Sequence, residues 1–340
     1  MNFELLKTLC MLNGTSGDEK SVREFIISKL PEDCEYIVDP IGNLIVNKKG
    51  EKEPENKVAL FAHMDEVGFI VTYITDDGFV YVANVGGIDN SALFGKKITV
   101  NGHIGVVGGK AIHQCSSDEA KKIPDISDMC VDFGFENKEI AEKYLSLGDF
   151  GYFKSDYIEF GNGMIKSKAL DDRLGCAIMI ELLQGESKFD YTCIFTVQEE
   201  VGTRGATVSA YTVNPDYAIV LETTTASDIP DTPENKKVCK VGNGAVVSFM
   251  DRGTIYNKDL YKRAREIADK KGIPNQTKTV VAGGNDAAAI HKAAGGINTV
   301  AVSLPCRYIH SAGSVADIRD IESCRNLARY MLNKIAGGEI

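Results

Sequence analysis

The chain has 340 residues, of which 44% are hydrophobic and 25% charged, and a formal net charge of −10 at pH 7. That length exceeds one minimal core, so one large domain carrying an insertion, or two domains, is expected. The acidic balance argues against nucleic acid or an anionic membrane surface as the main partner, and no apolar run approaches the roughly 20 residues of a membrane span.

Residues 1–14 (MNFELLKTLCMLNG) read as a short amphipathic helix without the layout of a signal peptide. The nine cysteines are scattered and form no CxxC pair. Reduced thiols and a cytoplasmic location are therefore expected. Ser16-Gly17-Asp18-Glu19 fits a capping box, with Ser16 as N-cap and Glu19 reaching back. Val22, Phe25, Ile26 and Leu30 then form one helical stripe. Residues 35–48 predict two short strands around an Asp-Pro, Gly-Asn turn. Residues 58–62 (VALFA) predict a buried strand that delivers His63-Met64-Asp65 at its end. Side chains alternate along a strand, so His63 and Asp65 should face the same way if the extended backbone continues.

From residue 67 to about 160 the pattern changes to short β-type runs broken by Gly, Asn and Asp turns, with helical periodicity only near 138–145. That predicts a small β-barrel or sandwich inserted into an α/β domain made of residues 1–66 and 161–340. His103 and His113 fall in this insertion without acids or cysteines at ligand spacing, so neither is expected to bind metal.

Ala169-Leu170-Asp171-Asp172-Arg173 reopens the α/β pattern ahead of a helix, 174–183, that is apolar almost all round. Asp172 reads as a cap of that helix. Residues 191–197 (YTCIFTV) predict a buried strand that ends in Gln198-Glu199-Glu200-Val201-Gly202. Adjacent carboxylates at the C-terminal end of such a strand sit where open α/β sheets place ligands. Two acids side by side repel and are costly to bury, so one reads as a metal ligand and the other as a general base; a solvated loop is the plain alternative. Strand 217–221 is followed by Glu222, and 238–250 predict another strand region. Gly272 should end a helix bearing Leu260, Ala264, Ile267 and Ala268. Residues 279–289 predict a strand–glycine–helix turn. A strand at 297–304 leads to Arg307-Tyr308-Ile309-His310-Ser311, and an amphipathic helix carrying Ile318, Ile321, Cys324, Ala328, Met331 and Ile335 closes the chain. The fold class is α/β, a mixed sheet with helices on both faces plus the inserted barrel.

His63, Asp171, Glu199, Glu200, Glu222 and His310 all fall at or just past strand ends. Imidazoles with carboxylates suit zinc, cobalt or manganese better than thiolate-loving metals or calcium. The donor count fits two divalent ions about 3.5–4 Å apart sharing a carboxylate, a device that activates water for acyl-bond hydrolysis.

The four stretches His63-Met64-Asp65-Glu66-Val67-Gly68, 169–173, 198–206 and 307–311, in that order, resemble the motifs of the M42 family of metallo-aminopeptidases, which includes glutamyl and tetrahedral aminopeptidases. The resemblance implies two divalent metal ions, zinc or cobalt foremost and manganese third. It implies that His63 ligates one metal, Asp171 bridges both, Glu200 completes one site and His310 ligates the second. It makes Glu199 the general base and Asp65 the group that orients His63. The family commonly has Asp in a D-x-T-x-A-x-D-x-P pattern where this chain has Glu222, so Glu222 is the expected ligand and Asp228 the fallback. Asn285, where Thr is common, should lie near the substrate. The family also implies short peptide substrates, subunit pairing through residues 67–160, and dimers assembling into a dodecamer. The basic residues beside the motifs, Arg204 and Arg307 among them, are candidates to favour an acidic side chain. The alternatives on this scaffold are a carboxypeptidase, an N-acyl deacylase, a glucanase or a non-catalytic assembling scaffold. A glucanase would instead need two carboxylates flanking a sugar.

Overall fold

The computed structural model describes residues 2–340. Its main sheet has eight strands in the order Glu35–Val38, Leu44–Lys48, Tyr191–Thr196, Val58–His63, Tyr217–Thr225, Asn298–Cys306, Ala245–Val247, Asn275–Thr277. The four central strands run parallel. Antiparallel neighbours flank them on both sides, which makes the sheet mixed.

Both faces of the sheet are covered, and the alternation of each strand explains how. Val58, Leu60 and Ala62 pack into one core with the helices Phe3–Met11, Leu170–Gln184, Lys258–Lys271 and Ile318–Ala336. Ala59 and Phe61 point the other way, into a smaller core with Ala206 and Ala210 of helix Arg204–Val213 and Ala287 and Ile290 of helix Ala287–Ile290. The expected strand at 58–62 extends to His63, and all six of its residues are buried.

The inserted stretch forms a closed six-stranded antiparallel barrel, in the order Gly68–Ile74, Val80–Val85, Met129–Asp132, His103–Gly109, Lys97–Val100, Phe150–Phe153. Its core includes Phe69, Val71, Val82, Ile98, Val107 and Val131. The strand Ile158–Phe160 pairs with Met164–Ser167, which in turn pairs with Ser314–Asp317 in a separate three-stranded sheet.

Several local expectations fail for identifiable reasons. Ser16 is not an N-cap: the helix begins at Lys20, and the Ser16 hydroxyl donates to Asp65 Oδ2 at 2.6 Å. Glu19 does reach back, accepting Gly17 N–H at 2.8 Å, but it also accepts Gln198 N–H at 3.1 Å, tying this turn to the Glu199 loop. The region 238–250 contributes only the strand Ala245–Val247. Residues 279–286 form no strand; the nearest is Asn275–Thr277, at the sheet edge. Glu222 lies inside its strand rather than past it, because Tyr217–Thr225 pairs with Asn298–Cys306 along its whole length.

Candidate metal centre

The centre lies where the parallel strands end. His63 closes its strand, and its Nδ1 donates to the Asp65 carbonyl at 3.0 Å. That bond assigns the ring proton to Nδ1 and leaves Nε2 free to ligate. The Asp65 side chain is fully buried, and it accepts the backbone N–H of Glu199 at 3.0 Å and of Glu200 at 3.1 Å. One carboxylate thus holds the turn carrying both glutamates against the end of the His63 strand.

Asp171 leaves the start of its helix with non-helical φ/ψ of −83° and 110°, so its carboxylate turns into the cleft. Asp172 instead accepts Gly175 N–H at 3.0 Å, the capping role expected of it. His310 arrives on the loop after Asn298–Cys306 with φ 59°, and its ring lies beside Gly87 in a loop of the barrel, where a Cβ would stand 3.7 Å from its Nδ1. The adjacent Gly86 has φ +87°, and a Cβ there would meet Val67 Cγ1 at 2.8 Å and Glu200 Cβ at 3.1 Å. Only glycine lets the barrel loop approach this closely.

The side chains converge as two sets, His63 with Asp171 and Glu222, and Asp171 with Glu200 and His310; within each, the donor atoms lie within 4.8 Å of one another. Asp171 belongs to both. His63 Nε2 lies 3.3 Å from Asp171 Oδ1 and 3.5 Å from Glu222 Oε1. His310 Nε2 lies 3.3 Å from Asp171 Oδ2 and 3.3 Å from Glu200 Oε2. Edges of about 3.3 Å are what tetrahedral coordination at about 2.0–2.1 Å produces, so the donors fit divalent cations of the zinc type. Glu222 reaches the set from within its strand.

The electrostatics point the same way. Burial pushes Glu200 and Glu222 up to about 8 each, and it raises Glu199 well above its usual value. Burial opposes charge on both histidines, but the surrounding carboxylates prevail: His63 is raised well above its ordinary value and His310 to about 9. Acids crowded out of water need cations, and divalent ions would supply them. Glu199 lines the same cleft, and its carboxylate takes no hydrogen bond or ion pair among the described residues.

Other expected residues lie elsewhere. Asp228 is held by Arg307 at 2.6 and 2.7 Å and also accepts Val241 N–H, so the fallback ligand is committed to an ion pair. Arg204 reaches Gln198 at 3.3 Å on the exposed side. His103 packs among Phe135 and Tyr144, and His113 sits on an exposed turn. Asn285 does line the cleft, beside Gly283 and Gly284. Ser16 and Lys278 were not singled out by the motifs. Ser16 could have been found only by pairing two distant segments, because its local signature is that of a helix cap.

Residues 42–327 match the profile of the M42 glutamyl aminopeptidase family. A putative aminopeptidase from Acetivibrio thermocellus is 38% identical over 96% of each chain. The lysyl aminopeptidase of Pyrococcus furiosus and the glutamyl aminopeptidase of Lactococcus lactis are each 32% identical over 98% of this chain, covering 98% and 96% of their own lengths. Among solved structures, the TET aminopeptidase of Thaumarchaeota archaeon SCGC AB-539-E09 superposes with a TM-score of 0.93 at 32% identity over 99% of this chain and 97% of that one. The Pyrococcus horikoshii TET1 peptidase, described as assembling into a tetrahedron or a large octahedral shell, superposes with a TM-score of 0.85 at 34% identity over 98% and 99%. The chain belongs to the M42 family of aminopeptidases.

Proposed function

We propose that this protein removes N-terminal residues from short peptides with the help of two divalent metal ions, zinc or cobalt foremost and manganese third. The observation that carries this reading is the pair of donor sets sharing Asp171, with Glu199 beside them and unengaged. Bound in these sets, divalent ions would supply Lewis acidity toward the scissile carbonyl and toward the attacking water.

The chain's own residues do the rest. His63, Asp171 and Glu222 form one site, and Asp171, Glu200 and His310 the other. Asp65 holds the His63 ring in the ligating tautomer and keeps the turn of Glu199 and Glu200 in register with it. Glu199 accepts the proton of the nucleophilic water and returns it to the leaving amine. Burial raises its proton affinity above that of an exposed carboxylate, the direction a general base needs. Residues 67–160 act as an inserted unit that pairs subunits into dimers that build a dodecamer; the TET neighbours, one a dodecamer and one a tetrahedron or octahedral shell, support a homo-oligomer. The nine free cysteines accord with a cytoplasmic setting. No helix among the described residues is long and apolar enough to cross a membrane.

The test is hydrolysis of free and N-acetylated aminoacyl anilides by EDTA-stripped protein, with and without added zinc, cobalt or manganese. Metal-dependent cleavage confined to free-amine substrates is expected. Equal cleavage of the acetylated series would rule the aminopeptidase reading out. Glu199→Ala should lose about 10²–10⁴-fold in kcat while keeping its metal.

A further inference from the structure

One charged group in the cleft has no partner among the described residues. Lys278 is 6% exposed and lines the cleft with Glu199, Glu200 and Glu222. Its ammonium makes no hydrogen bond and no ion pair among the described residues. Buried charges are normally paired, because the loss of hydration is otherwise uncompensated.

The nearby acids do not supply the partner. Asp251 contributes to the field at Lys278, but its oxygens accept Tyr256 OH at 2.6 Å and the N–H groups of Gly253 and Thr254 at 2.8 Å each. Glu222 is turned to His63 Nε2, 3.5 Å away. The arginines flanking the motifs are also accounted for, Arg307 on Asp228 and Arg204 on Gln198. Lys278 is thus the one lysine or arginine on the cleft wall among the described residues. Its place is fixed by the backbone: Lys278 N–H donates to Val247 O at 3.1 Å, just past the edge strand Asn275–Thr277.

We propose that Lys278 determines substrate specificity, receiving the side-chain carboxylate of an N-terminal glutamate or aspartate. The proposal rests on the aminopeptidase reading and gives it a substrate class. The relatives leave this open, since a lysyl and a glutamyl aminopeptidase are equally similar to the chain at 32% identity. An unpaired ammonium would repel a lysine side chain and would leave an aliphatic one facing a desolvated charge.

The test is kcat/KM of the metal-loaded full-length enzyme for Glu, Asp, Gln, Leu and Lys p-nitroanilides. Glu should exceed its neutral isostere Gln by about 10–100-fold, the range of a hydrogen-bonded charge pair. Lys278→Met should collapse that ratio toward one, and Lys278→Arg should retain most of it. A wild-type enzyme that cleaves Gln, Leu or Lys as well as Glu would overturn the proposal, and this arm decides even if the Met variant fails to fold. The anilides carry no peptide C-terminus, so Leu-Gly is compared with Leu-glycinamide. A Lys278→Met effect confined to that pair would place the peptide's C-terminal carboxylate on Lys278 and overturn the side-chain assignment. If no free-amine anilide is cleaved with any metal, the aminopeptidase reading falls, and the proposal with it.

Discussion

His310 Nε2 stands 3.3 Å from Asp171 Oδ2, while the other oxygen of the same carboxylate stands 3.3 Å from His63 Nε2. Asp171 therefore couples the two donor sets. His310→Ala should remove one donor from the second set only. The expected result is loss of about one metal equivalent by elemental analysis, with the other retained. Asp171→Asn should weaken both, so equal metal content in the two variants would contradict a shared carboxylate.

Asp65 touches the site through other residues. It accepts the amides of Glu199 and Glu200 and the Ser16 hydroxyl, and its carbonyl holds His63. Asp65→Asn should cost about 10–100-fold in metal affinity or activity, as loss of an orienting partner does. Ser16→Ala removes one hydrogen bond from a buried carboxylate and should give a smaller fall in the same direction. Metal titration of the two variants beside wild type checks this. An unchanged affinity in Asp65→Asn would exclude the positioning role.

The metal-free protein should become less stable as pH rises. Burial holds Glu200 and Glu222 at about 8, above an unfolded value of about 4.3. A carboxyl raised on folding favours the folded state while protonated, and that stability is lost as pH rises through the folded value. His310, which burial would lower but Asp171 and Glu200 raise to about 9, stabilises the folded state below its unfolded value of about 6.5 and loses this through 9. Both effects share one sign, so Tm of the EDTA-stripped protein should fall between pH 6 and 9. Loading with zinc should remove the fall, because the cations then neutralise the carboxylates. A flat or rising Tm for the stripped protein would contradict this.

A buried ionic cluster fastens the N-terminal segment beneath the site. Lys168 Nζ lies 2.5 Å from Glu66 Oε1 and donates to Leu12 O at 2.8 Å. Fully buried Arg173 donates to Leu9 O at 2.6 Å and Met64 O at 2.8 Å, with Nη2 3.6 Å from Glu66. Glu66→Ala would leave two buried cations unpaired and should cost about 3–5 kcal/mol in denaturant unfolding. A change under about 1 kcal/mol would mean that water reaches the cluster.

Much of this protein is legible from residue order alone. The apolar, β-branched runs at 58–62, 191–197 and 297–304 are central parallel strands buried on both faces, and such strands announce themselves by composition. The insertion is legible because its periodicity changes from helical to alternating. His63, Asp171, Glu199, Glu200 and His310 are legible because strand ends in an α/β sheet face one cleft, which Glu222 joins from within its strand. Tertiary structure decided what depends on distant segments meeting. Ser16 has the local pattern of a cap, yet its hydroxyl is taken by Asp65. Asp228 has the spacing of a ligand, yet Arg307 claims it. Lys278 has no motif at all, and only the folded cleft leaves it buried and without a partner among the described residues. Spacing along a chain encodes periodicity and local capping. The pairing of charges is set by which segments the packed core brings within hydrogen-bond reach, and that is a property of the whole fold.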